Sequence, residues 1–159
     1  MTDLDQNSLF PYREIVQSII DRMSTALLND DAVQFASCFS MPVVIQTFDD
    51  QRVISGLEEL RRMFDDIRLV LTNFAVTTIV QRCSDAALIG STRISACGEG
   101  HILSDAQVIL PPFPILLGLH AVDGIWRVDT GQFAIIRGKW LTAALMGTVS
   151  LDREPPVAP

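Results

Sequence analysis

The sequence contains no Cys-x-x-Cys spacing and only three cysteines, Cys38, Cys83 and Cys97. An odd set without metal spacing argues against a disulfide framework and fits reduced thiols in a cytoplasmic compartment. Histidine is scarcer still, with His101 and His120 alone. Neither has a ligand partner at metal spacing, so no metal site is expected. No basic face interrupts a net charge of -7. Nucleic acid binding needs such a face to displace counterions, and it is excluded on that ground. The acidity is read as ordinary solubility. Gly98 and Gly100 do not join a strand to a helix, so there is no glycine-rich phosphate loop, and no cofactor is expected.

Long apolar runs are missing as well. The longest uncharged stretch considered, Val108 to Val122, is cut by Pro111, Pro112, Pro114 and Gly118. A membrane span needs about 20 continuous apolar residues, so none is expected. The start of the chain, Met1-Thr2-Asp3-Leu4-Asp5-Gln6, is acidic and polar. It lacks the basic and apolar regions of a secretory signal.

What is present is a chain of 159 residues, 48% hydrophobic and 19% charged, with a mean hydropathy of +0.31. That length suits one domain with a real core. The positive hydropathy points to a buried oligomer interface, an apolar cavity, or both.

The order of elements carries more information than any motif. Apolar residues at Ile15, Ile19, Met23 and Leu27 predict a helix over Pro11 to Leu28, with Pro11 in its first turn. Asp31 would cap a second helix containing Val33, Phe35, Cys38 and Phe39, stopped by Pro42. Val43 to Phe48 reads as a strand, and Arg52-Val53-Ile54 pairs back across the turn at Asp49-Asp50. Ser55 and Glu58 read as a capping box for a third helix, with Leu57, Leu60, Phe64, Ile67 and Leu71 on one face.

Strands follow over Asn73–Cys83, Ala87–Cys97 and His101 to about Leu110. Ser84-Asp85 and Gly98-Glu99-Gly100 read as their turns. Pro111-Pro112-Phe113-Pro114 breaks the third strand, as a bulge or a loop. Ile115 to Val122 resumes it, Asp123-Gly124 makes a tight hairpin, and Ile125 to Ile136 closes the set. Residues 139–151 read as an apolar, helical extension and 152–159 as a flexible tail, so residues 1–138 form the domain proper. Helices first and a strand meander after them predict an α+β cone-shaped half-barrel. Its curved antiparallel sheet would carry three helices of the N-terminal half on the concave face.

Ala26-Leu27-Leu28-Asn29-Asp30-Asp31 with Phe35 and Phe39, Ile54-Ser55-Gly56-Leu57-Glu58-Glu59-Leu60, and the closing Asp123-Gly124-Ile125-Trp126-Arg127-Val128 resemble the nuclear-transport-factor-2-like superfamily. The likeness lies with its SnoaL-like and ketosteroid-isomerase-like branches. It implies a homodimer with an apolar pocket between sheet and helices. It also implies a range of functions, among them isomerases, dehydratases, polyketide cyclases and non-catalytic binders, so fold alone does not decide function.

The isomerase chemistry of that family has no match here. Met23 stands at the position of the tyrosine, Gln46 or Thr47 at that of the general base, and Gly118 near that of the second acid. None of these accepts a proton at neutral pH. Against the cyclase pattern, Asp129 takes the place of a histidine and Gly131 that of the acid. Alternation along a strand puts both on one face, so Asp129 would reach the same pocket.

A hairpin at Gly98-Glu99-Gly100 would set Arg93 opposite Asp105 and Cys97 opposite His101. Arg93, Asp105 and His101 would then orient a ligand in the pocket, or else lie on the outer face of the sheet. Cys97 beside His101 would be a candidate thiolate. The expected ligand contacts are Arg93, Met23, Gln46, Phe64 and Trp126, and the candidate catalytic groups are Asp129, His101 and Asp105. The expected function is the binding of a hydrophobic small molecule. The alternatives are an enzyme of the cyclase, isomerase or dehydratase type, and an association domain whose cavity is filled by its own side chains.

Overall fold

The computed structural model describes the backbone of residues 2–135 and 140–148, and the side chains of 11–135 and 141–148. The proposed tail, 152–159, lies outside the described residues. Helix α1 spans Thr2–Leu28, so it begins ahead of the sequence-predicted start and carries Pro11 inside it. Asp31 caps α2 (Ala32–Ser37) by accepting a hydrogen bond from the Gln34 amide at 3.1 Å. That bond satisfies one of the amides a helix start leaves open.

Phe39, expected in that helix, instead opens strand β1 (Phe39–Gln46), which pairs with β2 (Gln51–Ile54). Pro42 sits inside β1 where the register slips. It has no N–H to give to a ladder, so the strand is unpaired there. Helix α3 spans Leu57–Asn73, and its N-cap is Gly56, without a side-chain bond. Ser55 stands one residue too early for the expected capping box, which needs its hydroxyl at the cap itself.

The next four strands are β3 (Thr78–Ile89), β4 (Arg93–Ser104), β5 (Gln107–Val122) and β6 (Ile125–Phe133). They form one curved sheet with β1 and β2 in the order β2-β1-β6-β5-β4-β3, antiparallel except where β1 meets β6. The strand breaks differ from the predicted ones. The chain turns at Gly90, Ser91 and Thr92, with Gly90 at φ 67, and again at Asp105-Ala106, with Asp105 at φ 51. The Asp123-Gly124 hairpin is present as predicted, with φ of 54 and 76, the left-handed pair that a two-residue turn demands.

Both expected turns upstream lie inside strands. Ser84 is the extra residue of a bulge in β3, between the pairs Cys83–Gly98 and Asp85–Cys97. Gly98 and Gly100 lie within β4 because there is no room for side chains. A Cβ at Gly98 would strike the Arg82 carbonyl, and one at Gly100 would lie 2.5 Å from the Phe113 ring. Glycine inside a strand marks a close approach as often as a turn.

One sheet face is buried beneath the helices and the other is open. Leu119, Leu117, Ile115 and Phe113 of β5 are buried, and Leu116, Pro114 and Pro112 between them are exposed. The proline segment therefore stays in the strand, with only Phe113 turned inward. Helix α4 (Trp140–Met146) packs Leu141, Ala144 and Leu145 into the same core. It ends at Gly147 in a motif that bonds Gly147 N to Ala144 O and Thr148 N to Ala143 O, satisfying carbonyls that a helix end leaves open.

The free edge of β3 is closed by one side chain of α1. The Gln17 amide donates to the Gln81 carbonyl and accepts from the Cys83 N–H, each at 2.8 Å. It stands in for the neighbouring strand that an edge lacks, and so ties helix to sheet.

Candidate functional site

A cavity of about 70 Å³ lies between the inner sheet face and the helices. Helix α1 contributes Met23 and Leu27, α3 contributes Met63, Ile67 and Leu71, and α4 contributes Leu141 and Leu145. The sheet supplies Ile45, Ile79, Ile102, Phe113, Leu117 and Phe133 among others. Among the described residues its wall contains one polar side chain, Gln81.

The strand register explains where the room comes from. Gln81, Gly100 and Phe113 are direct neighbours across β3, β4 and β5 on the inner face. Ala96, Leu117 and Gly131 form another such row on β4, β5 and β6. The bare position at Gly131 lines the cavity, whereas the space over Gly100 is taken by the Phe113 ring. A Cβ at Gly131 would lie 3.0 Å from the Phe133 ring and 3.6 Å from Ile45 Cδ1.

Gln81 is held from two sides. Its Nε2 donates to Ser24 Oγ at 3.3 Å, and its backbone carbonyl is taken by Gln17. Its Oε1 is buried and has no hydrogen-bond partner. Most buried polar atoms are paired, so an unpaired buried acceptor is unusual.

Of the residues expected in the pocket, Met23 lines it. Phe64 is buried behind the wall, with its ring 5.2 Å from that of Phe35, and serves the core. Gln46 lies on the outer face beside Gln132, because its neighbour Ile45 takes the inward position. Trp126 is half-buried at the Asp123-Gly124 hairpin, across from Ala121, and packs on the edge of the core.

The expected polar group does not assemble. Arg93 opens β4, whereas Asp105 lies in the turn beyond its far end. A strand of twelve residues separates them by roughly 35 Å or more. Arg93 instead lies across from His120 on the outer face and binds both carboxylate oxygens of Asp129, at 3.0 and 3.1 Å. Asp105 is exposed, and its amide donates to Thr77 Oγ1 at 2.6 Å. His101 is also on the outer side, 3.6 Å from the Glu99 carboxylate. Cys97 lies on that side too, with Sγ 3.6 Å from Ser84 Oγ.

Asp129 is the informative correction. The register slips between Leu119–Val128 and Gly118–Thr130, so Asp129 is the extra residue of a bulge. An inserted residue reverses the alternation beyond it. Asp129 therefore points outward to Arg93 while Gly131 faces the cavity, and the two do not share a face.

The titration shifts lie elsewhere. Burial pushes up the thiols of Cys38 and Cys83. Burial also raises the Asp66 carboxyl, opposed by the nearby Arg52 guanidinium. Among the described residues no group of three or more acidic, cysteine or histidine side chains would hold a metal ion. No described helix is long and apolar enough to cross a membrane.

Sequence reasoning did not name Gln81 or Phe133 as wall residues, nor Leu141 and Leu145 on α4. The signal for Gln81 was available: it follows Ile79 at a spacing of two, the inward parity of a strand.

No protein-family model and no curated protein matches the chain. Solved structures do. A protein of unknown function with a cystatin-like fold from Nostoc punctiforme superposes with a TM-score of 0.59 at 17% identity, covering 77% of this chain and 90% of its own. An NTF-2-like protein of unknown function from Shewanella oneidensis gives 0.58 at 8% identity, covering 77% and 98%. An NTF2-like protein with a cystatin-like fold from Novosphingobium aromaticivorans gives 0.61 at 12% identity, covering 89% and 91%. The chain has the nuclear-transport-factor-2-like fold.

Proposed function

We propose that this NTF2-like chain is a SnoaL-like binding domain that holds a small hydrophobic molecule in the cavity between sheet and helices. The observation that carries the proposal is the wall, which among the described residues is apolar except for Gln81. Such a lining, with few polar groups to orient the occupant, is what small-molecule sites share. The cavity is about half the volume of an apolar core cavity known to take benzene, about 150 Å³. Met23 and Met63 in the wall are unbranched and adapt their shape, so the space can grow around a guest.

Binding is favoured over turnover because the candidate acids and bases lie on the other side of the sheet. Asp129, Arg93 and His101 face outward, and Asp105 is in an exposed turn. A general acid or base must come within hydrogen-bond reach of its substrate. The cytoplasmic setting rests on the cysteine usage described above. A homodimer is supported by exposed apolar residues on the outer sheet face, Val108 at 58% and Leu116 at 49% exposure.

The test is titration with small apolar compounds, followed by the methyl resonances of Met23 and Met63. Saturable shifts in these methyls are expected, and Gly131→Val should abolish them by filling the wall. Arg93→Ala and Asp129→Asn should leave them unchanged. Shifts absent from the wild-type protein, or lost with Asp129→Asn, would overturn the proposal. Light scattering gives the oligomeric state, and a monomer at all concentrations would remove the dimer.

A further inference from the structure

We propose that helix α4 is the gate of this cavity and Arg52 its latch: a guest enters when α4 lifts, and the Arg52 guanidinium holds α4 closed. The proposal rests on the ligand-binding reading above and adds the route by which the site is loaded.

Among the described residues that line the cavity, all are buried except half-buried Ile79, Gln81 and Phe133, which sit on strands. A guest must therefore displace part of the wall to enter. Strands β1, β4, β5 and β6 are each bonded to a neighbour on both sides. The seam between β3 and α1 is stitched by Gln17 and by the Ser24–Gln81 bond. Helix α1 is tied in turn to α3, where Arg68 Nη1 donates to the Leu27 carbonyl at 2.9 Å.

Helix α4 is held differently. It has seven residues, too few for a helix to keep its shape without docking. It packs on α3 and docks through Leu141, Ala144 and Leu145. Two of these anchors, Leu141 and Leu145, border the cavity beside Met63, Ile67 and Leu71 of α3. A side chain next to a void lacks partner atoms on that side, so its attraction to the core is weaker. Lifting α4 withdraws both leucines and opens the wall they form.

The latch lies at the C-terminal end of α4. Arg52 on β2 donates from Nη1 to the Leu145 carbonyl at 3.4 Å, one of the carbonyls a helix end leaves without an intrahelical partner. At that length the bond is weak enough to release. Gly147 rests on the same guanidinium: a Cβ there would lie 2.7 Å from Nη1, and its φ of 73 is one that suits glycine. The Asp66 carboxylate on α3 feels the Arg52 charge, so the latch joins β2, α3 and α4.

The experiment measures how fast benzene enters and leaves, from the Met63 methyl resonance, in the wild-type protein and three variants. Arg52→Ala removes the latch, and Gly147→Ala keeps the guanidinium but pushes a methyl against it. Each should raise the association and dissociation rates together by about tenfold, the measure of one hydrogen bond. The affinity should stay the same, because the latch lines no part of the cavity. Amide exchange at Leu145 and Met146 should quicken by a similar factor, while Leu119 in β5 keeps its protection. Gln17→Leu, which loosens the seam between α1 and β3, should leave the benzene rates unchanged. Unchanged rates in both latch variants, or faster entry in Gln17→Leu alone, would overturn the gate while leaving the binding site. A lower affinity at an unchanged association rate would overturn it too, since Arg52 would then only support the wall. If benzene does not move the wild-type methyl, the binding reading falls and the gate with it.

Discussion

Replacing Gly100 by alanine tests how the sheet makes its cavity. The position is buried inside β4, and a Cβ there would lie 2.5 Å from one Phe113 ring atom and 2.6 Å from another. The ring must swing away, and Phe113 is itself part of the cavity wall. Overpacking of this kind costs about 1–3 kcal/mol. The alanine also restricts the unfolded chain, which offsets about 0.4–1 kcal/mol. A net loss near 1–2 kcal/mol remains, or a fall in melting temperature of roughly 3–6 °C for a chain of this length. Phe113→Leu alone should cost about 1–2 kcal/mol through lost packing. In the double variant the smaller leucine yields to the new methyl, so the two losses should fall short of their sum by about 1 kcal/mol, within the range seen for touching residues. Urea titration of the four proteins measures the cycle. Strict additivity, or a Gly100→Ala protein more stable than wild type, would refute the close approach and restore the turn that the sequence suggests.

Three further outcomes follow from the same physical reasoning. Gln17→Leu should cost about 1–3 kcal/mol, because the Cys83 amide and Gln81 carbonyl lose their partner; hydrogen exchange at the Cys83 amide should speed up, and unchanged protection would contradict the edge-closing role. Asp66→Asn should raise the melting temperature at pH 7. Burial raises the Asp66 pKa, so the carboxyl favours the fold fully only below its unfolded value near 3.9, and loses that contribution as pH climbs through the higher folded value. The advantage of asparagine should thus vanish below about pH 4, and a variant less stable at pH 7 would disprove it. Iodoacetamide should modify half-buried Cys97 before Cys38 or Cys83, whose thiols burial holds in the protonated, unreactive form; mass spectrometry of partially alkylated protein reads the order.

The elements were legible where a local pattern had no rival. The stripe of Ile19, Met23 and Leu27 on α1 is buried as a helical period requires. Asp31 caps its helix, and Asp123-Gly124 turns its hairpin. Local cues failed where two meanings compete. Ser84-Asp85 is a turn signal and also a bulge, and Gly98-Glu99-Gly100 is a turn signal and also two places where neighbours crowd the backbone. Choosing between them needs the position of Arg82 and Phe113, which are near in space and not in sequence.

Helix placement, strand content and the apolar inward face follow from periodicity and propensity, which act over a few neighbouring residues. Which face each polar side chain occupies was decided by the assembled sheet. One inserted residue at Asp129 sends that carboxylate outward to Arg93, and the unbroken alternation from Ile79 turns Gln81 inward. The reason is parity: strand side chains alternate with period two, so a single bulge or a displaced turn reverses everything beyond it, and pairing with the neighbouring strands is what sets where those slips occur.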